Sequence, residues 1–565
     1  MRGNMAPARV PGRIVPPAGV PGWAAALAGL VSAAVALGIA QLVAGVIDGA
    51  TFPVIAVGES LIDLSPGPLK EWAIATFGTN DKAVLVGGVF VVLAVAAGAL
   101  GVLAVRRLRP AVAAFGAIGV VGLVAVLSRP GAQAVDVLPT VVGIGAGVWT
   151  LSWLTRRMLR AVPYESPLPA DPESETETGT GTGTGTDTGT GTGTGDVERP
   201  VVMRAGAELR AFDRRALLTG VAGGVVVAGA GALAGQMLAG RKEVAAARST
   251  IKLPAPRTPA KPLPAGVDLR IRGLSPFVTP NADFYRVDTA LIVPQVDPAS
   301  WTLKIHGLVD RPIEISYADL VRMPLTEADV TLTCVSNEVG GPYVGNARWL
   351  GVRMADVLRG AGLRSGADML LSTSADGFTC GTPMDVVMDG RDALFAIAMN
   401  GEALSPDHGF PVRQVVPGLY GYVSATKWVT DIKVTRFDQD IAYWTPRGWA
   451  ERGPIKTQSR IDVPQSGASL PPGRTKIAGV AWAQHRGVDA VEVRVGDGDW
   501  RLATLAETPG PDTWRQWSID WDLPRGEQTI EVRATDATGH TQTAALAPPA
   551  PDGATGYHTI LVKVG

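Results

Sequence analysis

VTLTCVSNEVGG, residues 330–341, alternates Val and Leu with Thr and then breaks at a turn rich in Asn and Gly. Alternation with a period of two predicts a strand, and the Asn/Gly cluster predicts the loop that ends it. Cys334 lies at this junction and is one of only two cysteines in 565 residues, the other being Cys380. The absence of a CxxC pair excludes a zinc ribbon, a dithiol redox motif and c-type haem attachment. None of these motifs therefore explains the role of the Cys334 thiol.

The chain on both sides of this strand reads as a soluble α+β domain, residues 267–445. Short alternating runs are separated by Gly, Pro and Asp turns, with helical stretches at Ser316–Val321 and Met354–Gly360. Five further strand-like runs follow, with a turn at Gly496–Gly498 where a hairpin would bend. They predict an immunoglobulin-like β-sandwich over residues 470–565.

The first 240 residues read as a membrane domain. Five segments carry no charged side chain and approach or exceed the roughly 20 residues that an α-helix needs to cross hydrocarbon, although the third and fourth are short. They are Trp23–Ile47, Ala83–Val105, Ala111–Leu127, Val137–Leu154 and Ala216–Ala239. Buried helices of a large soluble protein are the alternative interpretation.

Arginine clusters orient these predicted helices. They precede the first helix (Arg2, Arg9, Arg13), follow the second (Arg106, Arg107, Arg109) and the fourth (Arg156, Arg157, Arg160), and precede the fifth (Arg204, Arg210, Arg214, Arg215). Positive charge marks the cytoplasmic side, so we predict a multi-pass protein of the cell membrane whose part after Ala239 is extracytoplasmic. All five histidines lie beyond residue 300, so no helix offers two axial ligands and no haem is predicted.

The N-terminal part of the chain has four predicted pieces. A four-helix membrane domain (1–162) precedes a cytoplasmic linker (163–211) that contains a low-complexity Gly/Thr repeat. The fifth helix (212–240) opens with FDRRALLTG, which resembles a twin-arginine translocation signal, although two arginines also serve as an ordinary cytoplasmic flank. A Pro-rich linker (241–266) follows. The formal net charge of −1, without a basic stripe, disfavours a nucleic-acid partner.

Four segments of the soluble half resemble the molybdopterin-binding domain of the sulfite oxidase family. They are TLTCVSNEVGGPYVGNARWLGVRMADVL (Thr331–Leu358), ADGFTCGTPMDVVM (Ala375–Met388), LFAIAMNGEALSPDHGFPVRQVVPGLYG (Leu394–Gly421) and ATKWVTDIKV (Ala425–Val434). The sandwich that follows resembles the family's dimerisation domain, which implies a homodimer through the C-terminal part. The resemblance covers about residues 270–565, and the membrane half lies outside it.

The resemblance implies that Cys334 is the protein's thiolate ligand to molybdenum, with the other sulfurs supplied by the pterin. A thiolate is a soft donor that suits a metal cycling between oxidation states. The alternative is that Cys334 is a small core residue, as most free cysteines are. That ordinary interpretation is preferred for Cys380.

The resemblance also implies which residues bind the cofactor. They are His408, Arg413, Lys427 and Arg348 as donors to its phosphate and polar edges, Ser424, Ala425 and Thr426 through backbone N–H groups, and Asn337 and Asp376. Asn337 equally fits a role in ordering its own loop, and Asp376 equally fits an ordinary turn.

On the substrate side the resemblance implies Arg286, with Tyr420 or Tyr422 as hydrogen-bond donors, although both tyrosines also fit core positions. The sequence departs from the family twice. Val287-Asp288 stands where an Asn-His pair is expected, and Glu338-Val339 replaces a pair of arginines. Losing cations and adding carboxylates disfavours a dianion such as sulfite.

Taken together, the sequence predicts a membrane-anchored molybdenum-cofactor oxidoreductase. It would move an oxygen atom to or from a small molecule containing sulfur or nitrogen, and would exchange electrons with a separate redox partner. Two other classes remain as alternatives: a thiol hydrolase built on Cys334 and His408, and a non-enzymatic binding module tethered to membrane lipid.

Overall fold

The computed structural model describes residues 20–66, 80–129, 132–161, 210–241 and 244–565. Between the first two of these ranges it also describes residues 69, 72–73 and 76–77. The first three arginines and the Gly/Thr repeat lie outside these residues. The chain forms two compact units. The first contains residues 1–43, 89–121 and 138–235, and the second contains residues 44–88, 122–137 and 236–565.

Helices dominate the N-terminal half. In chain order they are α1 (Gly22–Ile47), α2 (Pro53–Leu64), α3 (Asp81–Arg106), α4 (Leu108–Leu127), α5 (Leu138–Met158) and α6 (Arg214–Arg241). All of these except α2 are long and apolar enough to cross a membrane. They coincide with the five predicted segments, and the two short ones become helices of 20 and 21 residues. A two-strand ladder pairs β1 (Leu159–Ala161) with β2 (Arg210–Phe212).

Small residues allow helices of the first unit to approach closely. A Cβ added to Gly29 on α1 would lie 1.9 Å from the carbonyl oxygen of Ala97 on α3, and one added to Gly101 would lie 2.1 Å from that of Ala25. Such close backbone contact is how helices associate in lipid, where apolar burial supplies no drive.

The second unit contains an α+β domain built on two five-stranded sheets. Its helices are α7 (Ala245–Thr250), α8 (Tyr317–Leu320), α9 (Met354–Ala361) and α10 (Met384–Met388). Its strands are β3 (Thr302–Gly307), β4 (Ile313–Ser316), β5 (Leu325–Thr333), β6 (Val344–Arg353), β7 (Met369–Ser374), β8 (Thr379–Pro383), β9 (Leu394–Met399), β10 (Glu402–Ala403), β11 (Arg413–Val415) and β12 (Val429–Thr435). One sheet has the order β10-β9-β6-β5 with β11 beside β9, and the other has the order β4-β3-β12-β7-β8.

A shared apolar core joins these two sheets. It contains Leu303 and Ile305 of β3 together with Val352 of β6 and Phe395 of β9, all buried. The two predicted helical stretches are confirmed as α8 and α9. Buried side chains of both sheets thus form one domain with its core between the sheets.

The remaining strands form two further sheets. They are β13 (Gln458–Val463), β14 (Ser469–Leu470), β15 (Gly473–Trp482), β16 (Val488–Val495), β17 (Arg501–Leu502), β18 (Thr504–Leu505), β19 (Arg515–Leu523), β20 (Gly526–Asp536) and β21 (His558–Val564). The sheets have the orders β13-β15-β19-β18 and β14-β21-β20-β16-β17 and share one apolar core. The hairpin predicted at Gly496–Gly498 joins β16 to β17. The β-rich C-terminal part is confirmed, and its immunoglobulin-like character stays a prediction.

The sandwich begins earlier than predicted. β13 pairs with β15, so residues from Gln458 onward belong to its first sheet, ahead of the predicted start at residue 470. The sequence QSRIDV is mostly polar, and its buried polar groups are paired: Ser459 donates to Gln542 Oε1 and Gln458 donates to the carbonyl of Ala554. A strand stabilised by such side-chain hydrogen bonds lacks the apolar alternation that would reveal it.

Candidate active site

β5 fixes the position of Cys334 because both of its faces are buried. Val330 and Leu332 face a core that includes Trp349. On the other face, the hydroxyl of Thr331 accepts a hydrogen bond from the Trp514 N–H, and Thr333 accepts one from Gln484, both in the C-terminal sandwich. A one-residue slip would reverse both faces, so the register of the strand is strongly specified. The strand therefore delivers Cys334 to a defined point.

Cys334 lies on the wall of a cavity of about 140 Å³. The residue is 8% exposed, and its backbone N–H donates to the Tyr343 carbonyl at 3.0 Å. Burial raises the pKa of the thiol. Without a metal the sulfur therefore carries its proton, and coordination would have to displace that proton.

Asn337 orders the loop that follows Cys334. Its Oδ1 accepts the Tyr343 N–H at 2.7 Å, while the Asn337 N–H donates to the Cys334 carbonyl at 3.1 Å. This geometry supports the loop-ordering alternative. The Nδ2 atom of Asn337 is buried without a partner among the described residues.

Arg413 brings a buried cation to the same cavity. The residue is 5% exposed, and its guanidinium donates only to carbonyls, those of His408, Gln414 and Ala425, at 3.2–3.4 Å. It also stacks over the ring of Trp349 at 5.1 Å. Burial lowers the pKa of Arg413 to about 10, since no carboxylate of the described residues pairs with it. A buried cation without a counter-ion is costly, so this site favours an anionic ligand.

Lys427 is a second cation on the cavity wall. Its ammonium donates to Asp288 Oδ2 at 2.7 Å and to the Asp407 carbonyl at 3.0 Å. Burial lowers the pKa of Lys427 to about 8 despite the neighbouring carboxylate. Burial alone would raise the pKa of Asp288, but Lys427, Lys82 and Arg286 outweigh it and hold that pKa below its usual range.

His408 completes the polar wall. Its Nε2 lies 3.2 Å from the Asn281 carbonyl, and its ring meets the Phe284 ring edge to face. Burial, reinforced by the charge of Arg413, lowers the pKa of His408 from 6.5 to about 4. The imidazole is therefore neutral at physiological pH and acts as a hydrogen-bonding group.

This depressed pKa predicts a pH dependence for the cofactor-free protein. Since the folded pKa lies below the unfolded one, the unfolded chain takes up the proton first as the pH falls. The stability that depends on neutral His408 should be fully present above about pH 6.5 and be lost between about pH 6.5 and 4, by about 3 kcal/mol. Thermal unfolding of wild type and His408→Gln should give profiles that converge over this interval, and parallel profiles would contradict the prediction.

Aromatic side chains also line the cavity. Phe378, Tyr422, Trp444 and Trp449 line the cavity, with the Tyr422 and Trp444 rings each about 6 Å from that of Trp449. The Tyr422 hydroxyl donates to the Ala450 carbonyl at 2.6 Å, so its proton is already engaged.

Tyr285 was missed by sequence reasoning. It lines the cavity together with Cys334 and Arg413 and is partly buried, packed against the core that contains Trp349. Burial raises the pKa of its hydroxyl, which keeps it a neutral donor. Its position directly before Arg286 in the sequence was the signal that could have identified it as a site residue.

The geometry gives no support to the predicted roles of Arg348 and Tyr420. Arg348 donates two hydrogen bonds of 2.8 Å to Asp329, its partner across β5 and β6, and is a structural ion pair. Tyr420 is 2% exposed, with its hydroxyl near the Lys456 N–H and not on the cavity wall. The hydroxyls of Ser424 and Thr426 are engaged within the protein, by the carbonyls of residues 419 and 420 and by the Ser372 hydroxyl, and the role predicted for the Thr426 backbone N–H stays a prediction.

Backbone N–H groups near Ser424 are also engaged. The N–H groups of Ser424 and Ala425 both donate to the Gly421 carbonyl, at 3.3 and 3.0 Å, within a tight turn. They are therefore not free to bind a ligand in this conformation, although Ala425 itself lines the cavity.

Arg286 and Asp376 have intermediate positions. Arg286 is 41% exposed and pairs with Asp288 and Asp407 at 2.8 and 2.7 Å, and it lines a neighbouring cavity of about 390 Å³ that shares His408 with the first. Asp376 lines the first cavity while its Oδ1 accepts the Phe378 N–H, which fits the turn interpretation, and its role toward the cofactor stays a prediction. Cys380 is fully buried on β8, as the core interpretation expected.

Comparison with known proteins shows which class of protein the chain resembles. Residues 290–444 match the family model described as "Oxidoreductase molybdopterin binding domain". The chain is 30% identical over 321 residues to sulfite oxidase of Gallus gallus, covering 48% of this chain and 69% of that enzyme. It is 31% identical over 323 residues to mitochondrial sulfite oxidase of Mus musculus, covering 48% of this chain and 58% of that enzyme. The sulfane dehydrogenase SoxCD of Paracoccus pantotrophus matches with 25% identity and a TM-score of 0.45, over 51% of this chain and 82% of that one.

The protein is a molybdopterin-dependent oxidoreductase. The chain belongs to the sulfite oxidase family, as the resemblance predicted. Its own residues fit the cofactor of that family, because a buried thiol and two desolvated cations face one cavity. An anionic cofactor would supply the counter-charge that Arg413 lacks.

Proposed function

We propose that this protein transfers an oxygen atom to or from a small substrate at a molybdenum cofactor held in the Cys334 cavity. When bound, the cofactor supplies the two-electron chemistry. Cys334 would hold the metal through its thiolate, and Arg413, Lys427 and His408 would hold the anionic pterin. The single observation that carries this proposal is the Arg413 guanidinium, buried on the cavity wall with only carbonyl partners among the described residues.

A small molecule with an apolar part fits the cavity better than sulfite. The wall on the substrate side would consist of Phe378, Trp444 and Trp449, which offer ring faces and edges and no charge. Asp288 on the same wall adds a carboxylate. Glu338 is exposed and does not line the cavity, so its effect on a dianion would act at longer range. We therefore propose an organic S-oxide or N-oxide, or its reduced counterpart, as substrate.

A thiol hydrolase is disfavoured by electrostatics. Such an enzyme needs a thiolate beside a histidine that accepts its proton. Here burial raises the pKa of Cys334, while burial and Arg413 lower that of His408, so both groups favour their neutral forms. Family membership as an oxidoreductase also rules out a purely structural module.

The chain is proposed to be anchored in the membrane by its five long apolar helices, with the catalytic domain extracytoplasmic. Support comes from which residues make up the second unit, namely residues 44–88, 122–137 and 236–565. The arginine clusters predict that these three parts of the chain all lie on the extracytoplasmic side. Dimerisation through the sandwich and a separate redox partner remain part of the proposal.

Analysis of the purified full-length protein tests this function. We expect about one molybdenum and one pterin per chain, and turnover with at least one member of a panel of S-oxides, N-oxides and sulfite. The reductant or oxidant in the assay is an artificial electron carrier, since the natural partner is unidentified. The proposal would be refuted if the protein, purified from a host that makes the cofactor, contained no molybdenum.

A further inference from the structure

Between the first two long helices, α2 and the start of α3 at Lys82 pack against the cavity rim. We define the rim as two stretches, Val287–Leu291 and Tyr443–Arg447, because Val287, Asp288, Thr289 and Trp444 line the cavity. A Cβ added to Gly58 of α2 would lie 2.9 Å from Cδ1 of Leu291, so α2 touches the first stretch directly. Asp63 of α2 accepts the Tyr443 hydroxyl at 2.5 Å and pairs with Arg447 at 3.2 Å.

Lys82 makes the most complete of these contacts. Its ammonium group donates to Asp288 Oδ1 at 2.9 Å, to the Asp288 carbonyl at 3.1 Å and to the Ala290 carbonyl at 2.6 Å. An ammonium group has three donors, and all three are used here. Lys82 lies in the first turn of α3, 206 residues before Asp288.

Asp288 links Lys82 to the cations of the active site. Its side chain is 3% exposed, with Oδ2 accepting from Lys427 and Arg286 and Oδ1 accepting from Lys82. Three cations therefore surround one buried carboxylate. Without Lys82, Oδ1 would have no partner among the described residues, and Asp288 would neutralise a larger part of the charge on Lys427 and Arg286.

We propose that Lys82, a residue of the membrane half, is a positioning residue of the active site. It holds Asp288 so that Lys427 and Arg286 keep net positive charge for an anionic cofactor. Lys82, at the start of α3, then supports the catalytic pocket from outside the domain that binds the cofactor. This inference rests on the proposed function, and it adds a residue outside the part of the chain that matches the family model.

The test uses full-length holoenzyme and whichever substrate turns over in the panel. Lys82→Met should lower kcat/KM about tenfold, the change expected when one charge near the site is lost, and Lys82→Arg should stay within about twofold of wild type. Arg129→Met is the matched control, because it also removes one positive charge, here from an ion pair with Glu59 of α2. It should leave kcat/KM unchanged.

A second readout is independent of turnover. In a double-mutant cycle on the thermal midpoint of the cofactor-free protein, Lys82→Met and Asp288→Asn should each destabilise, and the double variant should lose less than the sum of the two single losses, because the contact between Lys82 and Asp288 can be lost only once. Additive effects in the cycle overturn the inference, as does equal impairment by Lys82→Arg and Arg129→Met, which would indicate loop packing and not charge. Wild-type protein without molybdenum overturns the proposed function and this inference together, whereas additivity in an active enzyme overturns the inference alone.

Discussion

Replacing Cys334 by serine is expected to reduce turnover to background while the protein still folds. The change removes the one sulfur that the described residues place on the cavity wall and substitutes a hard, weakly donating hydroxyl for a soft thiolate. The fold should survive because the backbone N–H of residue 334 keeps its hydrogen bond to the Tyr343 carbonyl. Burying a hydroxyl in place of a thiol costs about 1–2 kcal/mol.

Cys380→Ser is the matched control for this experiment. Cys380 is the other buried free cysteine and lies on β8, where its sulfur approaches the Thr382 hydroxyl at 3.8 Å. The control variant should lose a similar amount of stability and keep both turnover and molybdenum. Measurement of kcat, molybdenum content and thermal midpoint on the three proteins separates the roles. If the Cys334 variant retains wild-type turnover, the assignment of the metal ligand is wrong.

The elements that sequence predicted well depend on local periodicity. Hydropathy located the five long helices, and the alternation before Cys334 located β5 and its end. Each of these signals is written into consecutive residues, so no knowledge of distant contacts was needed. The family resemblance added three polar residues of the cavity, the cations Arg413 and Lys427 and the neutral His408, and the structure brings all three to the wall with Cys334.

The failures depend on partners far apart in the sequence. Arg348 looked like a phosphate donor, but its role is fixed by the register that sets Asp329 opposite it on β5. β13 was missed because its polar groups are paired with residues about 80 or more positions away. Lys82 lies outside the matched domain, so nothing local connects it to Asp288. Motifs show residue types, whereas partners depend on the tertiary fold.

Arg413→Met should have opposite effects on cofactor binding and on the cofactor-free fold. The variant keeps an unbranched apolar chain in place of a buried guanidinium that has no carboxylate partner among the described residues. Removing such a charge should leave the cofactor-free protein within about 1 kcal/mol of wild type or make it more stable. Cofactor affinity should fall by about a hundredfold or more, because a charge-assisted contact to the anionic cofactor is lost. Molybdenum and pterin content after gel filtration, with the thermal midpoint, measure both effects.

Arg348→Met supplies the matched comparison, because the same substitution at a paired arginine should lower stability and leave cofactor binding unchanged. Asp329 is 5% exposed, so removing Arg348 leaves a buried carboxylate without its main partner. We expect a loss of about 1–3 kcal/mol in stability with cofactor content unchanged, the cost being reduced because the Arg348 side chain is 26% exposed. If Arg413→Met instead destabilised the cofactor-free protein as strongly as Arg348→Met, Arg413 would be a structural cation, and the counter-charge argument for the cofactor site would fail.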